Sequence, residues 1–264
     1  MKYGTALMAV AVAVVVTCAC TMIAMNKDTG DDRRIGIIGA MDEEVSSLKD
    51  SMHIDRKETV AGMEFCIGTL DSHKVVIAQC GMGKVNAGIC ANVMINDFGA
   101  YCIINTGVAG SLDNILDIGD MVVSTEAVQH DFDVSPIGFV KGEIPYTGLV
   151  AFPADKKLIS SAERAISECA PEIKAVKGRI CSGDQFINTP EQKDRITSEF
   201  GGLCCEMEGG AIAQTCHLND TPYVIIRAIS DKPDGSEEQE YHEFEEEAAK
   251  RCAAIVHYML KNCL

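Results

Sequence analysis

Acidic side chains gather at three places where an apolar run gives way to small or polar residues. Gly36-Ile37-Ile38-Gly39-Ala40-Met41 is followed by Asp42, Glu43 and Glu44; Cys205 is followed by Glu206-Met207-Glu208-Gly209-Gly210; and Arg227-Ala228-Ile229-Ser230 ends on Asp231. Carboxylates so placed can take a proton from water, give one to a leaving group, or accept hydrogen bonds from vicinal hydroxyls. Each stretch also has a plain structural account. Acids in a first helical turn are favoured by the helix dipole, and Asp231 could be only a turn residue opening a loop. Glu206 and Glu208 are evenly balanced between an exposed first turn and a buried strand exit, where they would need partners such as ribose hydroxyls. The chemical reading gains from combination: Glu44, Glu208 and Asp231 all follow expected strands, at the edge where open α/β sheets assemble sites.

The glycine loops and the composition narrow the chemistry. Gly81-Met82-Gly83-Lys84-Val85 looks like the end of a phosphate loop, but Ala78 stands where the leading glycine belongs and Val85 where the Ser or Thr belongs. That excludes a nucleoside-triphosphate site. In the opening turn Asp42, Glu43 and Glu44 would meet a pyrophosphate with like charge, which excludes a dinucleotide fingerprint. A formal net charge of −16 repels nucleic acid. The 13 cysteines are scattered through apolar runs without a Cys-x-x-Cys pair, and the six histidines lie far apart. They read as buried free thiols and as no metal site.

Strands and helices must position these acids. Arg34 to Ala40 reads as a buried strand and Glu43 to Ser51 as a helix; Val60 to Gly68 and Lys74 to Gln79 read as strands joined through Leu70-Asp71-Ser72-His73. A helix over Gly83 to Asp97 and strands over Tyr101 to Asn105 and Asp120 to Ala127 follow, then a long loop over 130–150. Helices are expected over Asp155 to Cys169, from the capping signature Thr189-Pro190-Glu191-Gln192, over Met207 to His217, and from Ser236 to the C-terminus. Short strands are expected at Leu203 to Glu206 and Tyr223 to Ser230. The alternation predicts a three-layer αβα sandwich around a mixed, largely parallel sheet spanning residues 34–264.

Residues 1–33 read differently. Ala6 to Met25 is an almost unbroken apolar run, long enough to span a bilayer. It predicts a signal or anchor segment, residues 6–25 tethering or exporting the protein. A start at Met25 would instead leave a cytoplasmic chain.

Six stretches occur together in one order: Gly36 to Val45, Gly81 to Ala87, Ile104 to Gly110, Ser182 to Ile187, Glu206 to Gly209 and Arg227 to Asp231. In these the chain resembles the 5′-methylthioadenosine/S-adenosylhomocysteine nucleosidases of the nucleoside phosphorylase superfamily. The resemblance implies hydrolysis of the adenine N9 to ribose C1′ bond in methionine salvage, without a cofactor, by a homodimer. It implies Glu44 as the base that activates water, and Asp231, oriented by Ser230, as the acid that protonates adenine N7. Glu208 would hold the ribose hydroxyls with Met207, and Glu206 joins the binding set. Val108, Ala109 and Gly110 would line the substrate loop, while Phe186 and the backbone of Ile187 would grip adenine. Met41, Tyr241 and the 130–150 loop, with Ile137 and Pro145 offered by a partner subunit, would form the slot for the 5′-thioalkyl group.

Such a division of labour suits the bond. Adenine leaves readily only when protonated and the sugar becomes oxocarbenium-like, so one acid and one water-side carboxylate are required. Asp231 would then need a proton near neutrality, which burial beside other carboxylates would favour. Asp42 and Glu43 would be solvated helix-start charges. Val108 stands where some relatives carry serine, and Tyr241 where phenylalanine is common. A phosphorylase would need arginines in the first and middle glycine loops, which residues 36–45 and 104–112 lack. A membrane-tethered nucleoside receptor would have no need of Glu44.

Overall fold

Strand β1 (Arg34–Gly39) is buried at all six positions, as a run with parallel partners on both sides must be. Those partners are β4 (His73–Gln79) and β5 (Ala100–Ser111). The computed structural model describes residues 33–232 and 241–264, without the side chains of 241–245. The apolar segment 6–25, the expected helix start at Ser236 and the Tyr241 side chain thus lie outside the described residues. Among the described residues no helix is long and apolar enough to cross a membrane.

Outward from β4 lie β3 (Met63–Leu70) and β2 (His53–Val60), both antiparallel. The single strand expected over Val60 to Gly68 is in fact split by a turn at Ala61 and Gly62, both at positive φ (51° and 80°). β2 itself is absent from the sequence reading because it is a charged, mostly exposed edge. Edge strands carry such charges to avoid pairing with other chains.

β5 is the branch point of the sheet. Its first half pairs with β1; Ile103 to Gly110 pairs in parallel with β10 (Tyr223–Asp231); and Gly110 and Ser111 pair antiparallel with β9 (Cys204–Glu206). β9 continues to β8 (Ala175–Ser182), β8 to β6 (Met121–Gln129), and β6 returns to β10. The ten-stranded sheet is therefore open on one side and closed into a ring on the other. A three-residue strand, β7 (Ala151–Pro153), pairs with β6. Neither β7 nor β8 stands out in the sequence, because one is very short and the other alternates weakly.

Helices form the outer layers of the expected αβα sandwich. α2 (Lys84–Asn96) packs with α5 (Gly209–Leu218); α6 (Tyr241–Cys263) packs with α1 (Asp42–Ser51) and α3 (Lys156–Cys169). α3 starts on Asp155, whose carboxylate accepts from the amides of Lys157 and Leu158. α4 (Pro190–Phe200) starts on the Thr189–Gln192 capping box read from the sequence. It closes a separate apolar cluster containing Ile187, Ile196, Phe200 and Cys205. The eleven described cysteines are free, and nine are buried, as small hydrophobes in the core.

Candidate active site

β1, β5 and β10 run in parallel, so the turn after β1, the end of β5 and the end of β10 share one edge. β9 runs against them. Glu208 joins the group because the sheet curls until Cys205 pairs with Gly110, a closure the open-sheet expectation did not contain.

Glu44 sits at the third position of α1 and folds back over the helix start. Its Oε2 accepts from the amides of Ala40 (2.6 Å) and Met41 (3.0 Å), and its Oε1 accepts from the amide of Val108 (3.1 Å). Burial pushes its pKa above the ordinary carboxylate value, opposed by Arg227 and these three amides. Asp42 and Glu43 on the same turn are exposed, consistent with solvated charges at a helix start.

Behind Glu44 lies Arg227, a fully buried guanidinium from the middle of β10. It donates to Asn105 Oδ1 at 2.6 Å and to Glu206, and lies 3.6 Å from Glu208. Gly107 is the spacer that lets Arg227 and Glu44 approach, for a Cβ there would overlap both side chains. Glu206 is saturated: besides Arg227 it accepts from the Ser182 hydroxyl and the amides of Glu208 and Gly209. Its work is to close the start of α5. Glu208 is held by one amide, that of Gly83 at 2.9 Å. Burial, then the neighbouring Glu206, pushes Glu208 up to about 7. The Gly81 to Gly83 loop thus serves a carboxylate, and the next amide, Lys84 N, donates to Asp184 (2.8 Å).

Asp231, at the end of β10, has a different neighbour from the one expected. Among the described residues its ion-pair partner is a cation: its Oδ2 lies 2.6 Å from Lys193 Nζ on α4. The Ser230 hydroxyl donates to Oδ1 at 3.3 Å. Lys193 is 2% exposed and also donates to the carbonyl of Lys232.

Between these two sides lies a cavity that opens to solvent. Its walls include Glu44 and Asp231 together with Met41, Val108, Ala109, Gly110, Phe186, Ile187, Glu206, Met207, Glu208 and Ser230. Ala40, Met82, Gln185 and Cys205 also line it, and among the described residues no lysine or arginine does. Ile137 and Pro145 are not in this lining, and Ile137 is 73% exposed. Sequence reasoning gave no role to Arg227, Asn105 or Lys193. Arg227 was visible, as a charge inside a β-branched run that must be buried and paired. Lys193 looks like an ordinary helical lysine.

The phosphorylase superfamily model matches residues 34–261. A 5′-methylthioadenosine/S-adenosylhomocysteine nucleosidase of Staphylococcus haemolyticus is 42% identical over 228 residues, 86% of this chain and 99% of its own. Among solved structures, the nucleosidase of the same description from Neisseria meningitidis, in complex with methylthio-immucillin-A, superposes with a TM-score of 0.82 at 36% identity, covering 87% of this chain and 99% of that one. The corresponding protein of Colwellia psychrerythraea, in complex with adenine, gives 0.82 at 37% identity, covering 87% and 95%.

Proposed function

The chain belongs to the phosphorylase superfamily, among its 5′-methylthioadenosine/S-adenosylhomocysteine nucleosidases, and from that premise we propose that it hydrolyses the N9–C1′ bond of both nucleosides. The observation that carries this reading is one cavity with a buried, amide-held carboxylate, Glu44, on one wall and a second carboxylate, Asp231, on another. Glu44 takes a proton from water as the water oxygen bonds to C1′. Asp231 gives its proton to adenine N7 as the C1′–N9 bond breaks, and adenine leaves without building full negative charge. The proton gained by Glu44 and the one lost by Asp231 are exchanged back through solvent. Glu208 accepts from the ribose hydroxyls, Met207 packs on the sugar, and Phe186 and Ile187 flank the base.

Water rather than phosphate is the nucleophile in this reading. Among the described residues the cavity lining carries no lysine or arginine for a phosphate, and the amides at the starts of α1 and α2 are already taken by Glu44 and by Glu208 and Asp184. A homodimer fits the surface, because Met82, Val85, Ile137, Val140 and Tyr146 are each more than half exposed. Gathered on one face these groups would form a contact surface, and a second copy would bring Ile137 and Pro145 to the 5′ end of the cavity. The hydrophobicity of residues 6–25 supports a tether or export signal ahead of the 34–264 domain. Membrane fractionation of the intact chain tests it.

The purified chain is mixed with 5′-methylthioadenosine or S-adenosylhomocysteine, and adenine release is followed with and without phosphate. Release independent of phosphate is expected. Release only with phosphate would make the protein a phosphorylase, and tight binding without release would make it a receptor.

A further inference from the structure

Lysine is almost never fully buried unless paired, and Lys193 is 2% exposed in a part of the molecule that the proposed chemistry has so far left unused. Two contacts and its place in the chain define its setting. Its ammonium lies 2.6 Å from Asp231 Oδ2; it donates to the Lys232 carbonyl; and its helix, α4, is capped by Thr189, just beyond the Phe186–Ile187 segment of the cavity wall. Asp231 is more open, with its side chain 19% exposed, and it lines the cavity. Lys193 itself does not.

We propose that Lys193 is a positioning residue that acts through Asp231 in the departure of adenine. The inference rests on the nucleosidase reading. Lys193 engages Oδ2, so Oδ1, which accepts from the Ser230 hydroxyl, is the oxygen turned over to the ligand. The ammonium favours the ionised carboxylate, so Asp231 takes its proton from solvent, to which its side chain is 19% exposed. When the Oδ1–H bond then breaks and that proton passes to N7, negative charge returns to the Asp231 carboxylate. The ammonium is already in place to pair with it, and no solvent has to reorganise. A charge fixed in advance where charge develops lowers the barrier to that step. It does nothing for the attack of water, which occurs at the other wall. The bond from Lys193 to the Lys232 carbonyl also fixes the end of β10, which keeps Asp231 at the same distance from the base.

The test separates leaving-group help from structural support. Two substrates are compared: 5′-methylthioadenosine, and the 4-nitrophenyl glycoside of 5-methylthioribose, whose leaving group departs as a stable anion and needs no proton. Lys193→Met and Lys193→Gln both remove the charge, and glutamine retains a donor for the Lys232 carbonyl. For adenine release, kcat is expected to fall about 100-fold in both variants with KM unchanged, whereas nitrophenol release stays at the wild-type rate. Lys193→Arg is expected to recover much of the adenine rate, and Lys193→Gln placed on Asp231→Asn is expected to cost nothing further. Equal losses on both substrates would overturn the proposal, as would a further loss in the double variant. Failure of the wild-type protein to release adenine at all would instead overturn the nucleosidase reading.

Discussion

The two walls of the cavity are charged in opposite proportion. On the water side, Glu44, Glu206 and Glu208 surround a single guanidinium, that of Arg227. On the leaving-group side, Asp231 has the Lys193 ammonium to itself. A buried site with more acids than cations relieves the excess by holding a proton. That is the direction found for Glu208, pushed up to about 7, and for Glu44. The comparison teaches that carboxylates lining one cavity are set apart by the cations behind them, Arg227 and Lys193, neither of which lines it.

Removing the acid that matters most should give the largest effect. Glu44→Gln is expected to lower kcat by about 10²- to 10⁴-fold, the usual contribution of a general base, while a transition-state-like inhibitor still binds. Glu44 must be ionised to take a proton from water, and burial raises its pKa. The acid limb of the kcat/KM profile should therefore lie above the ordinary carboxylate value of 4.5. A limb at or below that value would remove Glu44 from the base role.

Next in size is the cation on the crowded side. Arg227→Met leaves three buried carboxylates without their shared partner, and urea unfolding should show a loss of about 3–5 kcal/mol. Lys193→Met should lose less, because Asp231 retains contact with solvent. Equal losses would erase the distinction between the walls. Gly107→Ala is milder: its methyl would overlap Arg227 and Glu44, forcing both to shift at a cost of about 1–3 kcal/mol. Activity should fall in this variant more than stability does, since in the proposed mechanism a shift of Glu44 misaligns the carboxylate that takes the proton from water.

The sequence carried the acids but not the cations. Glu44, Glu208 and Asp231 were legible because each follows a strand and a carboxylate there has few idle uses. Arg227 was half legible, as a charge between Ile226 and Ala228, both of which are buried. Lys193 was not, since its burial depends on where α4 docks and no local pattern encodes that docking. The same division holds for the fold. Buried runs such as β1 and β10 announce themselves by continuous apolar character, whereas β2 and β8 are made by pairing. The ring closure through β9 involves only two residue pairs with β5. It has no periodicity to read, yet it brings Glu208 to the site.

The smallest expected effect is also the one that tests the charge imbalance most directly. Glu208 has a folded pKa of about 7, above its ordinary 4.5, so the folded protein binds its proton more tightly than the unfolded chain does. The stabilisation linked to that proton is complete below 4.5 and is lost as pH rises through about 7. Glutamine is neutral throughout and its carbonyl can still accept from the Gly83 amide. Glu208→Gln should therefore match the wild type in acid and become the more stable of the two at alkaline pH. A gain of about 1 kcal/mol would raise the Tm by roughly 2–4 °C, read from thermal melts of both proteins across the pH range. A constant difference at every pH would mean that Glu208 carries no excess proton, and that Arg227 alone balances the water side.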